Sequence, residues 1–249
     1  MRVVLLGTGG YHPSEERHTA CLMFPELGIV FDAGTAAFRI ADRLLTREID
    51  LFLTHAHLDH IAGLTYLLAP LSLKQLDALR IHATEHVIAA LREHLFANAI
   101  FPVMPRYDFL PLAGSSLQLG EATIRWQVLP SHPGTSMAYR IESTAGGKPR
   151  SLAYVTDTTV DGSYTEFIRG ADVLIHECYF PDSHAEWAQK TGHSTTSTVL
   201  DVAAAAKVGR LILVHVDPRS KGDDPLGLAP LKSKFPTVEI ARDGLEITI

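Results

Sequence analysis

Four side chains with lone pairs suited to a divalent cation crowd one short stretch, Leu51-Phe-Leu-Thr-His-Ala-His-Leu-Asp-His-Ile-Ala-Gly63. They are His55, His57, Asp59 and His60. Neutral imidazole and carboxylate are the usual protein ligands for zinc and similar divalent ions. The apolar run 51–53 predicts a buried strand, and residues 61–68 predict the helix after it. The four residues then occupy the turn between strand and helix, where alternate side chains can be aimed in different directions. His55 and His57 can hold one metal, and Asp59 and His60 a second close by. The plain alternative is a polar surface turn rich in histidine, but turns seldom concentrate four such residues directly after a buried strand.

Further candidates follow singly along the chain. Residues 122–129 form an apolar run leading into Pro130-Ser-His132, residues 151–155 lead into Thr156-Asp157-Thr158, and residues 211–214 lead into His215. A strand end is rigid and can hold a ligand in place. Taken one at a time these residues prove little. A lone histidine there is more often structural, and Asp157-Thr158 can simply open a turn.

The elements that must position these groups read as a rhythm of short strands and helices. Residues 3–6 form a strand stopped by Gly7-Thr-Gly-Gly10, which lacks the full Gly-x-Gly-x-x-Gly spacing of a phosphate loop. Residues 22–24 and 28–31 predict a hairpin, and 35–45 a helix. Residues 64–79 are leucine-rich and interrupted by Pro70, and 79–82 predict a strand. Thr84 can cap a helix running to Ala99. His82, His86 and His94 in this region read as packing or surface residues. The proline-punctuated segment 101–111 fits a connecting loop, a substrate wall or the subunit contact of a homodimer. Residues 137–141 and 171–175 predict strands, the latter entering His176-Glu-Cys-Tyr179. Ser194 or Thr195 can cap a helix to Lys207, ended by Gly209. Residues 225–235 predict a short helix, and 238–249 a last hairpin around Asp243-Gly244. The periodicity predicts an α/β chain, and 1–249 reads as one domain, since no linker-like composition shift divides it.

Composition bounds the function. With 46% hydrophobic and 20% charged residues in a chain of 249, an ordinary globular core is expected. The net charge of −6 excludes a global basic field for nucleic acid, leaving only a local patch. Cys21 and Cys178 are too few for a disulfide framework, and a reducing cytoplasm fits. The opening run Met1-Arg-Val-Val-Leu-Leu-Gly7 is too short for a signal peptide or a membrane span, so no membrane partner is expected.

His55-x-His57-x-Asp59-His60 resembles the signature of the metallo-β-lactamase fold superfamily. Leu6-Gly-Thr-Gly-Gly10 and Phe31-Asp-Ala-Gly34 resemble its opening, where they would bring strands close beneath the metal site. The resemblance runs from Leu6 to about Pro218. It implies the αββα sandwich, two mixed β-sheets face to face with helices outside. It also implies two divalent ions, zinc by preference with manganese or iron as alternatives. His55, His57 and His132 would hold one, Asp59, His60 and His215 the other, and Asp157 would bridge them. Such a pair polarises a substrate oxygen and lowers the pKa of a bridging water, whose hydroxide attacks phosphorus or a carbonyl carbon.

Gly192-His-Ser-Thr-Thr196 resembles the His-Ser-Thr segment of the ribonuclease Z branch, the tRNA 3′-processing phosphodiesterases. Leu174-Ile-His-Glu177 and Asp157-Thr158 resemble segments of that branch too. The likeness implies that His193 protonates the leaving oxygen, that Glu177 orients His193, and that Asp59 orients the nucleophile. One departure matters. That branch carries a long glycine- and proline-rich arm between its third histidine ligand and its bridging aspartate, and the arm grips tRNA. Here only 25 positions separate His132 from Asp157, and they hold just the short turn Gly146-Gly-Lys-Pro-Arg150. The expected activity is therefore a dinuclear phosphodiesterase on a small or nucleotide-like phosphodiester. The alternatives are a ribonuclease Z-type tRNA endonuclease and a metallohydrolase of another ester class, lactone or thioester. A non-enzymatic binding module fits worse, because the ligand set is intact and His193 stands beside it. A β-lactamase also fits worse, because Asp157 takes the bridging place.

Overall fold

The computed structural model describes residues 1–144 and 147–249; the turn at 146–150 lies partly outside them. Strands β1 (Arg2–Gly7), β2 (Cys21–Phe24), β3 (Ile29–Phe31), β4 (Glu48–Phe52), β5 (Ala78–Ala83) and β6 (Asp108–Pro111) build one sheet. Strands β7 (Ser116–Leu119), β8 (Ala122–Leu129), β9 (Ser136–Ser143), β10 (Arg150–Val155), β11 (Val173–Glu177), β12 (Arg210–Val214) and β13 (Val238–Ile240) build a second. Strand β14 (Leu245–Thr248) returns to the first and pairs with β1. Helices α1 (Leu58–Ile61), α2 (Leu68–Ser72), α3 (Glu85–Ala90), α4 (Thr165–Ile168), α5 (Ala185–Thr191) and α6 (Thr196–Ala205) lie among the strands in sequence.

Both sheets are mixed. The first is antiparallel through β3 and parallel from β3 to β6. The second is antiparallel from β7 to β10 and parallel from β10 to β13. The two-residue period of a strand explains the layers. Val3 and Leu5 join the core between the sheets, while Val4 and Leu6 join the core under the helices. In β12, Ile212 and Val214 face the other sheet, and Leu211 and Leu213 pack with Val199, Leu200 and Ala203 of α6. Strands covered on both faces read as unbroken apolar runs, which is why 51–53 and 211–214 stand out in the sequence.

Two tyrosines tie the sheets together. The Tyr139 ring stacks on Phe31 at 5.2 Å, and its hydroxyl donates to the Leu53 carbonyl at 2.7 Å. Tyr154 also stacks on Phe31, at 5.9 Å, and its hydroxyl donates to Asp32. Each buries a ring without leaving its hydroxyl unpaired.

Several elements differ from the sequence reading, each for a physical reason. The expected helix over 35–45 is a 3-10 turn over Thr35–Arg39. Gly34 N–H donates to Ala20, Thr35 N–H to Thr19 Oγ1 and Leu45 N–H to Pro25, and the segment is pulled too tight for an α-helix. A Cβ on Gly63 would lie 2.5 Å from Ala37 Cβ, so glycine is what allows that approach. The helix after β4 starts at Leu58 rather than 61, so Asp59 and His60 lie on its first turn, not in the loop. The helix after Thr84, whose hydroxyl accepts from Val87 N–H, gives way at Leu91–Leu95 to a π-turn. Segment 101–111 ends in the edge strand β6, a place where Pro111 is tolerated. The expected terminal hairpin does not form. β13 joins the second sheet and β14 the first, and the turn between them is held by Asp243, which accepts from Thr8 N–H, His18 N–H and Arg39. Helix α5 was not legible, since Ala-Glu-Trp-Ala-Gln-Lys-Thr carries no apolar stripe.

Candidate metal centre

The C-terminal ends of β3, β4, β10, β11 and β12, with the end of β8, deliver Asp32, His55, His57, Asp157, Glu177, His215 and His132 to one rim of the sandwich. Two donor groups form there. His55, His57, His132 and Asp157 place one ligand atom each within 4.8 Å of one another, and so do Asp59, His60, Asp157 and His215. Asp157 belongs to both and divides its oxygens between them. Oδ2 lies 3.6 Å from His55 Nε2 and 3.7 Å from His132 Nε2. Oδ1 lies 3.3 Å from both His60 Nε2 and His215 Nε2. Asp59 Oδ2 lies 3.2 Å from His215 Nε2 and accepts the Tyr11 N–H at 2.8 Å.

Backbone strain aims two of these groups. Asp157 and His215 sit in the left-handed region at φ 47° and 58°, where residues other than glycine are uncommon. Gly10 makes room for the second, because a Cβ there would lie 2.5 Å from the His215 ring.

The outer nitrogens of His60 and His132 are held, while the buried Nδ1 of His215 has no hydrogen-bond partner among the described residues. His60 Nδ1 donates to Asp32 at 2.9 Å, and Asp32 also accepts from Thr54 N–H and Oγ1 and from Tyr154. His132 Nδ1 donates to the Gly192 carbonyl at 3.0 Å. These contacts leave Nε2 of each imidazole facing the cluster, the tautomer control that metal ligands use. Asp32 was missed as a supporting residue, although it closes a buried strand just as Asp157 does.

The donor chemistry fits a divalent cation. His55 Nδ1 is paired with Thr54 Oγ1, yet its buried Nε2 has no hydrogen-bond partner among the described residues. Such a group costs about 1–3 kcal/mol unless something takes its lone pair. Burial, with His60 nearby, holds His55 well below the usual histidine range, and burial also lowers His57 and His132. All three are therefore neutral and ready as ligands. Burial opposes a charge on His60, but the carboxylates of Asp157, Asp59 and Asp32 outweigh it and hold the ring protonated. Burial likewise opposes the Asp157 charge, and His215 and His60 outweigh it. The carboxylates thus call for positive charge, and a metal entering here displaces a proton from His60.

Beside the cluster stands His193. Its Nδ1 lies 3.0 Å from Glu177 Oε1, its ring stacks on Tyr179 at 4.8 Å, and the rings of His132 and His215 are 5.0 and 5.5 Å away. Glu177 is fully buried and accepts N–H groups of Thr158, Tyr179 and Ser194. Burial would lower the His193 pKa, but Glu177, with Asp157 and Asp59, raises it to about 9. Glu177, His193 and His215 could form a third donor group, but both Glu177 oxygens are already taken up by these bonds. His57, Asp59, His132, Asp157, His193 and His215 all line one cavity of about 1180 Å³.

A family model described as the beta-lactamase superfamily domain matches residues 28–216. A protein of Gemmatimonas aurantiaca named ribonuclease Z is 28% identical, over 99% of this chain and 95% of its own. That alignment extends over 299 residues against a chain of 249, so the relative carries segments without a counterpart here. The metallo-beta-lactamase fold protein YhfI of Bacillus subtilis superposes with a TM-score of 0.80 at 24% identity, covering 99% of both chains. A diphosphatase from the PhnP family superposes at 0.72 with 18% identity, covering 99% of this chain and 97% of that one.

Proposed function

The chain belongs to the metallo-β-lactamase superfamily and is a hydrolase of that fold, and from this premise we propose that its 249 residues form one dinuclear phosphodiesterase domain acting on a small or nucleotide-like phosphodiester. His55, His57, His132 and Asp157 would hold one ion, and Asp59, His60, His215 and Asp157 would hold the other, zinc by preference. Two such ions, when bound, supply Lewis acidity toward a phosphoryl oxygen and toward the attacking water. Asp59, anchored by the Tyr11 N–H, orients that water. His193 keeps Nδ1–H on Glu177 and presents Nε2–H to the departing oxygen, which leaves as an alcohol.

The single observation that carries the reading is His193, held from behind by the buried Glu177, in the wall of the cavity that the donor groups also line. A charged, oriented imidazole is what a poor alkoxide leaving group needs. The small substrate is favoured by the connection from β9 to β10, which spans only residues 144–149. A tRNA-gripping arm has no place there, and the net charge is −6. Ribonuclease Z activity is the second reading, supported by the relatives that bear this name.

The test is a panel of zinc- or manganese-loaded protein on bis(p-nitrophenyl) phosphate, a phosphomonoester, a lactone, a β-lactam and precursor tRNA. Turnover of the diester with slow tRNA trimming is expected. Efficient tRNA trimming would replace the first reading by the second, and lactone turnover without diester turnover would overturn both.

A further inference from the structure

The cavity lined by the two donor groups is far larger than a phosphate, and one side of it is aromatic. Tyr179 and Phe180 follow β11, and their rings meet edge to face at 4.7 Å. The His184 ring lies parallel to Phe180 at 6.1 Å. One turn further, α5 presents Trp187, which is 55% exposed and lines the same cavity. The indole is not loose, since Lys190 Nζ sits 4.9 Å from its ring centre. The wall is braced from behind as well. Asp182 accepts the Ser197 N–H at 2.8 Å, tying the start of the α5 segment to α6. His193 closes α5 by donating its N–H to Ala188, so the helix that carries Trp187 ends at the proton donor.

An indole half out of water on a braced helix, in a cavity shared with the reacting groups, is a stacking platform awaiting a flat partner. At the mouth, Asp217 is buried and uses both oxygens to hold the exposed Arg219 guanidinium, at 2.7 Å from Nη2 and 3.0 Å from Nε. A cation fixed beside an aromatic wall suits a ring that carries negative charge nearby.

We propose that Trp187, in the cavity wall that also carries Phe180 and His184, forms a ring-recognition subsite that selects phosphodiesters bearing a nucleobase on the retained side of the scissile bond. The inference rests on the phosphodiesterase reading and narrows its substrate class to nucleotidyl esters. Stacking on an aromatic side chain acts through a π-face that every base has, so the subsite discriminates ring from no ring rather than one base from another.

The experiment compares two diesters with the same leaving group, the p-nitrophenyl ester of thymidine 5′-monophosphate and methyl p-nitrophenyl phosphate, on zinc-loaded wild type and Trp187→Ala. The ratio of kcat/KM for the nucleotidyl ester over the methyl ester should fall by roughly tenfold to a hundredfold in the variant, mainly through KM. Trp187→Phe should recover most of the ratio. A second readout needs no turnover. In a Trp126→Phe background Trp187 is the sole tryptophan, and thymidine 5′-monophosphate should quench its fluorescence saturably. An unchanged ratio with no quenching overturns the subsite while leaving the phosphodiesterase reading intact. Saturable quenching in a protein that hydrolyses neither diester keeps the subsite and removes the phosphodiesterase reading.

Discussion

Replacing His193 by alanine separates proton donation from metal binding. Glu177 loses one partner but keeps three, the N–H groups of Thr158, Tyr179 and Ser194, so its carboxylate stays in place and the local fold persists. Glutamine at position 177 would be the worse probe. Both oxygens of Glu177 accept backbone N–H groups, and an amide NH2 would face one of them, at about 1–3 kcal/mol for the unpaired donors. His193→Ala should therefore retain its metal and its denaturation midpoint in the loaded protein. A lost general acid costs roughly a hundredfold to ten-thousandfold. That loss should appear in full on a diester with an alkyl alkoxide leaving group and shrink to less than about tenfold on a nitrophenyl ester, which departs with little help. The pH profile adds a second signature. Without cations the His193 pKa is raised to about 9 by Glu177 against the effect of burial, and two cations nearby would bring it down. Wild-type kcat on the alkyl diester should accordingly fall on the alkaline side, and that limb should vanish in His193→Ala. Equal losses on both substrates, or metal lost from the variant, would refute the proton-donor role.

Asp157→Ala should lose more metal than any single histidine variant, dropping from two equivalents to below one by elemental analysis, because its two oxygens face both donor groups; a variant that still holds two ions would end the bridging proposal. Asp32→Ala strips partners from Thr54, His60 and Tyr154 at once, and urea denaturation should show a loss of about 3 kcal/mol or more together with weaker metal retention. Metal-free stability should depend on pH through His193, whose pKa rises from 6.5 unfolded to about 9 folded. That rise is worth about 3 kcal/mol below pH ~6.5 and is lost as pH climbs through ~9, so chelated wild type should lose that much more stability across the window than chelated His193→Ala. Parallel curves for the two proteins would show that the pair contributes nothing to the fold.

Much of the architecture is written in local pattern. Unbroken apolar runs such as Val3 to Leu6 require strands with two buried faces, and the run before His55 requires one that ends beneath a polar turn. Residue type alone marked His55, His57, Asp59 and His60 as a metal-competent cluster, because they are neighbours along the chain and their lone pairs need no distant partner to be recognised. Other features depend on contacts between segments far apart in sequence. The division of Asp157 oxygens between two groups follows from a left-handed backbone at φ 47°, which nothing in Val-Thr-Asp-Thr announces. Asp32 matters through His60 and Tyr154, which lie 28 and 122 positions away. Val238 to Ile249 read as a hairpin, since two strand patterns flank Asp243-Gly244. Their separation into different sheets was decided by the open edges beside β12 and β1 and by Asp243 gripping Thr8, His18 and Arg39. Trp187 gave no signal because α5 has no apolar stripe, and only the packing of its helix beside His193 places an exposed indole in the wall of the same cavity. Side-chain chemistry and periodicity are properties of neighbours along the chain, whereas the convergence of six strand ends on one rim is a property of how two sheets pair and pack.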